Sequence, residues 1–361
     1  MRRSVLCGVF AILLLGEMTC QSLAVSTSAQ SAILIEQASG RVLYESNADE
    51  ERLIASITKI LTALVSIEYG DLDETYTVTK EDMVEGSSMY LQIGEELTLE
   101  ELLYGLMLVS GNDAALAVAH CVSGEIEDFV ALMNKTAASL GMTHSCFANP
   151  NGLDAQDHYS SARDMALLTA YALKNETFCR IASTQSATIG DRYLKNHNKL
   201  LNLYEGCIGV KTGYTKAAGR TLVSAAQRDG MTLVCVTLKD SDDWKDHMSL
   251  LDFGFAAYRM ERPVMAGQKM AQVMVCGGVK TGVMLAAAQE LAYPVTGDEE
   301  LTVKVIAPLS VFAPISAGQV LGTVCAYLDG VEVASVDLIA MESISQIENE
   351  PQKGFFQRLF H

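Results

Sequence analysis

The sequence at residues 55–59 is Ala55-Ser56-Ile57-Thr58-Lys59, and it stands where an extended segment passes into a helix. Upstream, two apolar runs at 32–35 and 41–44 are separated by a short turn, the pattern of two neighbouring strands. Downstream, apolar residues recur at helical spacing as far as Gly70. The sequence therefore predicts that Ser56 lies in the first turn of a helix.

Ser56 and Lys59 are three residues apart, a spacing that makes two side chains neighbours on one face of a helix. They also lie at the positive end of the helix dipole. A serine hydroxyl becomes a good nucleophile when a base takes its proton, and a desolvated lysine with a lowered pKa can be that base. A lone Ser-x-x-Lys is more often a helix cap beside a solvated lysine, so the rest of the chain decides between the two interpretations.

The first 24 residues have the features of an export signal. Arg2 and Arg3 precede an apolar run at 5–15, and Ser22-Leu23-Ala24 offers a small-residue cleavage site. The apolar run is short for a bilayer span. We expect residues 1–24 to be removed and the mature protein to act outside the cytoplasm, in the cell wall or periplasmic space.

Charge and cysteine content exclude several classes of protein. The formal net charge of -18 argues against a nucleic-acid partner, which requires a basic surface. Seven of the nine cysteines remain after the signal, scattered and without a Cys-x-x-Cys pair. This pattern favours neither a full disulfide framework nor a zinc site, and it leaves one or two disulfides open. We predict no metal and no cofactor.

The middle of the chain alternates between helical and extended patterns. Thr98-Leu99-Glu100-Glu101 is a capping box, and a hairpin turn is predicted at Arg228-Asp229-Gly230. The patterns predict helices at 60–70, 98–109, 113–121, 125–140, 162–173 and 244–258, and strands at 208–212, 220–226 and 232–238. Residues 25–260 are therefore expected to form one α/β (α+β) domain, an antiparallel sheet flanked by helices with a helical lobe.

Beyond Pro263 the pattern changes to short strands and turns, which predicts a small all-β domain at 261–345. The tail at 346–361 ends in four large apolar residues with Lys353 and Arg358 among them. Such a segment can lie on a membrane surface as an amphipathic helix, or it can pack on the β domain. Both interpretations stay open.

Three short motifs follow one another in the first domain: Ser56-Ile57-Thr58-Lys59, Ser110-Gly111-Asn112 and Lys211-Thr212-Gly213. This combination is known from class A β-lactamases and penicillin-binding proteins. Lys-Thr-Gly also occurs a second time, at Lys280-Thr281-Gly282. We assign the first copy to the site because it belongs to the same domain as Ser110, whereas the second falls at a strand edge or turn of the β domain.

The motif residues cover the tasks of acyl transfer. Ser56 attacks a carbonyl and Lys59 is its base. Ser110 can relay a proton to the leaving group, and Asn112 can hold Lys59 and the substrate amide. The backbone N–H of Ser56 is a candidate oxyanion donor.

The third motif supplies substrate binding. Positive charge on Lys211 helps to keep Lys59 neutral. Thr212 can bind a carboxylate. Gly213 has no side chain, so substrate can lie against the strand as an added β-strand.

The first domain resembles the D-alanyl-D-alanine carboxypeptidases, low-molecular-weight penicillin-binding proteins of the serine-peptidase type. The matching segments are 54–59, 108–115, 147–153, 159–166, 209–215 and 250–255. The β domain and tail resemble that family's C-terminal domain and membrane anchor more weakly. The resemblance implies a penicillin-recognising serine transpeptidase/β-lactamase-like fold.

The resemblance also implies a function. The substrate would be the peptidoglycan stem peptide ending in D-Ala-D-Ala, which acylates Ser56, releases the last D-Ala and is then hydrolysed. β-Lactams would acylate Ser56 as covalent inhibitors. The N–H of Tyr214 would be the second oxyanion donor.

The chain departs from the family pattern at two places. Many relatives have histidine where this chain has Asn151. Relatives often have an arginine before the closing helix that binds the terminal carboxylate, and here the stretch is Asp242-Asp243-Trp244-Lys245. Lys239 or Lys245 is the expected substitute.

Three other functions fit the sequence less well. A class A β-lactamase would need a glutamate to activate the deacylating water, and Glu176 and Glu205 are outside the expected loop context. A non-catalytic cell-wall-binding relative is opposed by the intact motifs. A Ser-His-Asp hydrolase lacks Gly-x-Ser-x-Gly, and the histidines, His158 and His197 among them, suit surface, structural or site-edge roles.

Overall fold

The computed structural model describes residues 25–348. The predicted export signal and the tail from 349 onward lie outside these residues. The helices are α1 Lys59–Tyr69, α2 Leu99–Leu108, α3 Asn112–Ser123, α4 Ile126–Ser139, α5 Ala162–Ala172, α6 Glu176–Ser183, α7 Leu200–Leu203 and α8 Asp243–Ala257. The strands of the first domain are β1 Ser31–Glu36, β2 Val42–Ser46, β3 Thr75–Thr77, β4 Glu96–Thr98, β5 Ser186–Ile189, β6 Arg192–Lys195, β7 Cys207–Thr215, β8 Gly219–Arg228 and β9 Met231–Leu238. Those that follow are β10 Arg259–Val264, β11 Lys269–Cys276, β12 Gly282–Ala287, β13 Leu291–Val295, β14 Leu301–Ile306, β15 Ser310–Phe312, β16 Val320–Leu328 and β17 Val331–Ala340.

The first domain is built on an antiparallel sheet with the strand order β2-β1-β9-β8-β7. Successive side chains of a strand point to opposite faces. Val234 and Val236 of β9 accordingly pack into one core, while Leu233 and Cys235 pack into another. Helix α5 covers the first face and α8 the second. Because both faces are buried, every residue of β9 is buried and the strand is mostly apolar rather than alternating, with Thr232 and Thr237 as its polar residues. The predicted fold class is confirmed.

A helical lobe packs around α1, whose first eight residues are buried. Helix α2 begins at the predicted capping box, in which Thr98 Oγ1 accepts from the Glu101 N–H at 3.2 Å and the Thr98 N–H donates to Glu101 at 2.9 Å. The corner between α2 and α3 has Ser110 at φ 62°, a left-handed conformation that a helix cannot continue. Both features agree with the sequence pattern.

The lobe also contains two short hairpins, β3–β4 and β5–β6, that the sequence pattern does not predict. Their strands have three or four residues each, too few for an alternating pattern to be recognised. The same reason applies to the three residues of β15.

The β domain has a six-stranded sheet in the order β14-β16-β17-β12-β11-β15 and a core of its own. Arg41 joins it to the first domain, donating to the Glu299 carboxylate at 2.5 and 2.9 Å and to the Pro294 carbonyl at 2.5 Å. The second Lys-Thr-Gly lies here, where Lys280 is exposed in a turn and pairs with Glu342.

All seven cysteines within residues 25–348 are free thiols, which answers the open disulfide question for this part of the chain. No helix of this part is long and apolar enough to cross a membrane.

Candidate active site

Ser56 lies in a single 3-10 turn, Ala55–Thr58, that leads directly into α1 at Lys59. The prediction that Ser56 occupies the first turn of the α-helix is therefore wrong by one turn, although the approach of Lys59 to Ser56 is retained. Ala55 has φ 52°, a conformation that costs a non-glycine residue about 1–3 kcal/mol. Such strain persists only where the surroundings enforce it.

The surroundings of Ala55 are tightly fitted. Thr58 Oγ1 donates to the Ala55 carbonyl at 2.8 Å. Gly152 approaches the same carbonyl so closely that a Cβ at residue 152 would lie 2.2 Å from the oxygen. Glycine is required at 152 for this approach and for its φ of 84°. These contacts fix the turn that presents Ser56.

His158 supports the 3-10 turn through a hydrogen bond with Thr58. Its Nδ1 accepts from the Ala148 N–H at 3.1 Å, so the ring proton is on Nε2, which donates to Thr58 Oγ1 at 2.8 Å. Burial lowers the pKa of His158 to about 4, so the ring is neutral at physiological pH. His158 thus has the structural role that the sequence analysis allowed, and it acts through Thr58.

The lowered pKa of His158 predicts that the folded protein becomes less stable in acid. Between pH 6.5 and about 4 the unfolded state protonates His158 while the folded state does not, so stability falls as the pH falls. From pH 7 to pH 5 we expect this residue to contribute a loss of about 2 kcal/mol in the free energy of unfolding. Urea unfolding of the chain at both pH values should give a smaller loss for His158→Gln than for the wild type. His144→Gln, at a half-buried histidine whose side chain is 43% exposed, is the control, and an unchanged loss in His158→Gln would contradict the assignment.

Lys59 is fully buried, with its amine at the centre of the site. Its Nζ lies 2.8 Å from Asn112 Oδ1, 2.5 Å from the Asn151 carbonyl oxygen and 3.1 Å from Ser56 Oγ. The Asn112 and Asn151 oxygens can only accept hydrogen bonds. A neutral amine has two N–H donors, so both are used by Asn112 and Asn151, and the lone pair is left for the Ser56 hydroxyl proton.

Electrostatics favour that neutral form. Burial lowers the pKa of Lys59 well below its usual value, and the positive charge of Lys211 lowers it further. Burial also lowers the pKa of Lys211, to about 7. Lys59 therefore has the properties of a base next to a nucleophile.

Asn112 is oriented by the loop that precedes it. Its Nδ2 donates to the Glu85 carbonyl at 2.9 Å, which leaves Oδ1 to face Lys59. Asp113, which the sequence analysis did not assign, fixes the loop by accepting from Ser88 Oγ at 2.5 Å and the Leu91 N–H at 3.1 Å. Ser110 is 4% exposed, and its Oγ has no hydrogen-bond partner within residues 25–348. A buried hydroxyl without a partner is expected to find one in a ligand.

Strand β7 carries the third motif of the site and is an edge strand of the sheet. Lys211 is 1% exposed and donates to the Thr212 carbonyl at 2.9 Å. A Cβ at Gly213 would lie 2.9 Å from the Ser56 backbone nitrogen and 2.4 Å from Thr221 Oγ1. The position that a Cβ of residue 213 would take is thus occupied by the Ser56 turn and Thr221, while Gly213 itself lines the cleft. The same contact brings the Ser56 N–H beside the segment that carries Tyr214.

Residues of the three motifs line a cleft of about 280 Å³. It is lined by Ser56, Ser87, Ser110, His197, Thr212, Gly213, Tyr214, Arg220, Asp243 and Trp244. Five of the eight predicted site residues are in this set, and the other three, Lys59, Asn112 and Lys211, are buried behind it. The sequence analysis did not identify Ser87, Arg220, Asp243 or Trp244, and it placed His197 at a site edge, where the structure has it.

The glutamates considered for a β-lactamase and the lysines considered for carboxylate binding do not line the cleft. Glu176 and Glu205 are exposed and do not line the cleft. Lys245 lines a separate cavity on the other side of α8, and Lys239 lines neither. The expectation that one of these lysines binds a carboxylate in the cleft is therefore not supported. No cluster of three metal-ligating side chains occurs among residues 25–348.

Comparison with known proteins gives two family matches. Residues 17–242 match the family described as D-alanyl-D-alanine carboxypeptidase, and residues 258–346 match the penicillin-binding protein 5 C-terminal domain.

Individual relatives agree with these matches. D-alanyl-D-alanine carboxypeptidase DacF of Bacillus subtilis is 34% identical over 88% of this chain and 86% of its own length. DacC of Escherichia coli is 33% identical over 93% of this chain and 87% of its own length. Among solved structures, penicillin-binding protein 5 of Haemophilus influenzae superposes with a TM-score of 0.77 at 29% identity, covering 89% of this chain and 98% of that one.

Proposed function

The chain belongs to the D-alanyl-D-alanine carboxypeptidase family, and from this premise we propose that it removes the terminal D-Ala from peptidoglycan stem pentapeptides through an acyl-enzyme on Ser56. The observation that carries the proposal is the contact of Lys59 Nζ with Ser56 Oγ at 3.1 Å, in a setting where both amine protons have other acceptors. This arrangement supports Ser56 as nucleophile and Lys59 as base.

Acylation follows from this geometry. Ser56 Oγ gives its proton to Lys59 Nζ and attacks the carbonyl carbon of the penultimate D-Ala. The N–H groups of Ser56 and Tyr214 are proposed to stabilise the oxyanion. The proton passes to the amide nitrogen, the C–N bond breaks, and free D-Ala leaves.

Ser110 is the proposed relay for that proton. Its hydroxyl is buried and without a partner in residues 25–348, and it lines the same cleft as Ser56. Asn112 holds Lys59 during the transfer. In deacylation a water molecule gives a proton to Lys59 and attacks the ester carbonyl carbon. The bond from that carbon to Ser56 Oγ then breaks, Lys59 returns the proton to Ser56 Oγ, and the shortened peptide leaves as its acid.

Substrate binding is proposed for the edge strand β7. An extended peptide can pair with an unpaired strand edge through main-chain hydrogen bonds. Lys211, Thr212, Gly213 and Tyr214 would then be the binding residues. β-Lactams are proposed to acylate Ser56 in the same cleft as covalent inhibitors.

We also propose that residues 1–24 direct export and that the tail at 346–361 contacts the outer face of the cytoplasmic membrane. The basic and apolar composition of the two segments supports this location. A peptidoglycan substrate lies in the same compartment.

The two Lys-Thr-Gly copies provide a matched pair of variants. Lys211→Met removes a buried amine whose positive charge acts on Lys59, and we expect kcat/KM for D-Ala release from diacetyl-Lys-D-Ala-D-Ala to fall about 100- to 1000-fold. Lys280→Met changes an exposed lysine of the β domain and should leave kcat/KM within about two-fold of wild type. Equal effects of the two variants would contradict the assignment of the first copy.

The same peptide tests the reaction itself. Wild-type protein should release D-Ala from it and should turn over benzylpenicillin only slowly. Rapid steady-state hydrolysis of benzylpenicillin with no D-Ala release would instead indicate a β-lactamase, and neither activity would indicate a non-catalytic relative.

A further inference from the structure

Arg220 is the arginine that lines the cleft among residues 25–348. It lies on β8 directly opposite Tyr214 of β7, while Thr212 is opposite Leu222. Directly opposed residues of antiparallel strands point to the same face, and so do residues two apart. Thr212, Tyr214 and Arg220 therefore share the sheet face that is covered by the beginning of α8.

Arg220 is held in place by that helix. Its Nη2 donates to both carboxylate oxygens of Asp243, at 2.6 and 2.8 Å, and its guanidinium lies 5.7 Å from the centre of the Trp244 ring. Asp243 is 3% exposed and also accepts from the Trp244 N–H at 2.9 Å. Both carboxylate oxygens of Asp243 are thus engaged by Arg220, although the residue also lines the cleft.

The other donors of Arg220 remain available. Nε and Nη1 have no partner among residues 25–348, and the side chain is 43% exposed. No other lysine or arginine of the described chain lines the cleft. The remaining titratable base there is His197, and burial lowers its pKa, which favours the neutral ring. An anion that enters the cleft therefore meets one exposed cation.

The substrate carries such an anion. When the penultimate carbonyl is at Ser56, the terminal D-Ala extends beyond it along β7 and ends in a carboxylate. Resting on the function proposed above, we propose that Arg220 binds this carboxylate together with Thr212, and that Asp243 is a positioning residue that holds Arg220. The site thereby selects a free C-terminus, and an Arg220–Asp243 pair takes the place of an arginine before α8.

The test compares two peptides, diacetyl-Lys-D-Ala-D-Ala with a free carboxylate and the same peptide with a C-terminal carboxamide. A hydrogen-bonded charge contributes enough to predict a preference of about 100-fold or more in kcat/KM for the free acid in the wild type. Arg220→Gln should raise KM for the free acid about 10- to 100-fold and change KM for the carboxamide less. The ratio of the two kcat/KM values should therefore fall close to one. Arg220→Lys should restore part of the preference, and Asp243→Asn should weaken it by an intermediate factor.

Lys245→Gln is the matched control, because it removes a positive charge from the same helix outside the cleft. Its acid preference should equal that of the wild type. If Arg220→Gln releases D-Ala and keeps the wild-type preference, or if Lys245→Gln loses it, the assignment of Arg220 is wrong while the proposed function stands. If the wild type releases neither D-Ala from the acid nor D-alaninamide from the carboxamide, the proposed function fails, and this assignment with it.

Discussion

Replacing Ser56 with alanine is expected to lower kcat for D-Ala release by at least about 10,000-fold, because the reaction loses its nucleophile. Ser56 Oγ is the hydroxyl within hydrogen-bond reach of the Lys59 amine among residues 25–348. The measurement is D-Ala release from diacetyl-Lys-D-Ala-D-Ala over long incubations, with thermal unfolding as a check of the fold.

Ser87→Ala is the matched control for this variant. Ser87 lines the same cleft but does not contact Lys59, and its backbone carbonyl, which the substitution retains, accepts from the Asn112 N–H at 2.7 Å. We expect less than a ten-fold change. A Ser56→Ala protein with more than about one hundredth of the wild-type rate would show that another group attacks the substrate.

The second large effect is expected from Lys59→Met. Methionine fills a volume similar to that of the lysine stem but cannot accept the Ser56 proton, so acylation by benzylpenicillin and by peptide should both slow by about 1000-fold or more. The folded protein should persist, because the substitution removes an amine whose burial is costly. Stopped-flow or quenched-flow acylation rates, with a thermal unfolding curve, provide the measurement.

Lys216→Met serves as the comparison, since Lys216 is an exposed lysine just beyond β7. Its acylation rate should match that of the wild type. Acylation of Lys59→Met at the wild-type rate would mean that the base is a different group.

The sequence predicts which motif residues the structure brings together, because each motif is a short local segment. Ser56 and Lys59 are joined by one turn, and Ser110 and Asn112 belong to one corner between helices. Three short motifs therefore suffice to identify the residues that the structure brings together, and the capping box explains where α2 begins.

Other features depend on tertiary contacts that no local pattern encodes. The left-handed φ of Ala55 results from its fit against Gly152 and Thr58, so the sequence alone predicts an ordinary helical turn there. Arg220 joins the cleft only through the β7–β8 register, and Asp243 only because α8 begins above that face. The expectation that a lysine near α8 replaces the missing arginine rests on chain position alone, and in the folded chain neither Lys239 nor Lys245 lines the cleft.

The most direct test of the account is to locate the covalent adduct that benzylpenicillin forms. The intact protein should gain the mass of one penicilloyl group, and peptide mapping should assign that group to Ser56. The adduct should be absent from Ser56→Ala and present in Ser87→Ala. An adduct on any other residue, or normal D-Ala release from a protein that forms none, would contradict the assignment of Ser56 as the nucleophile.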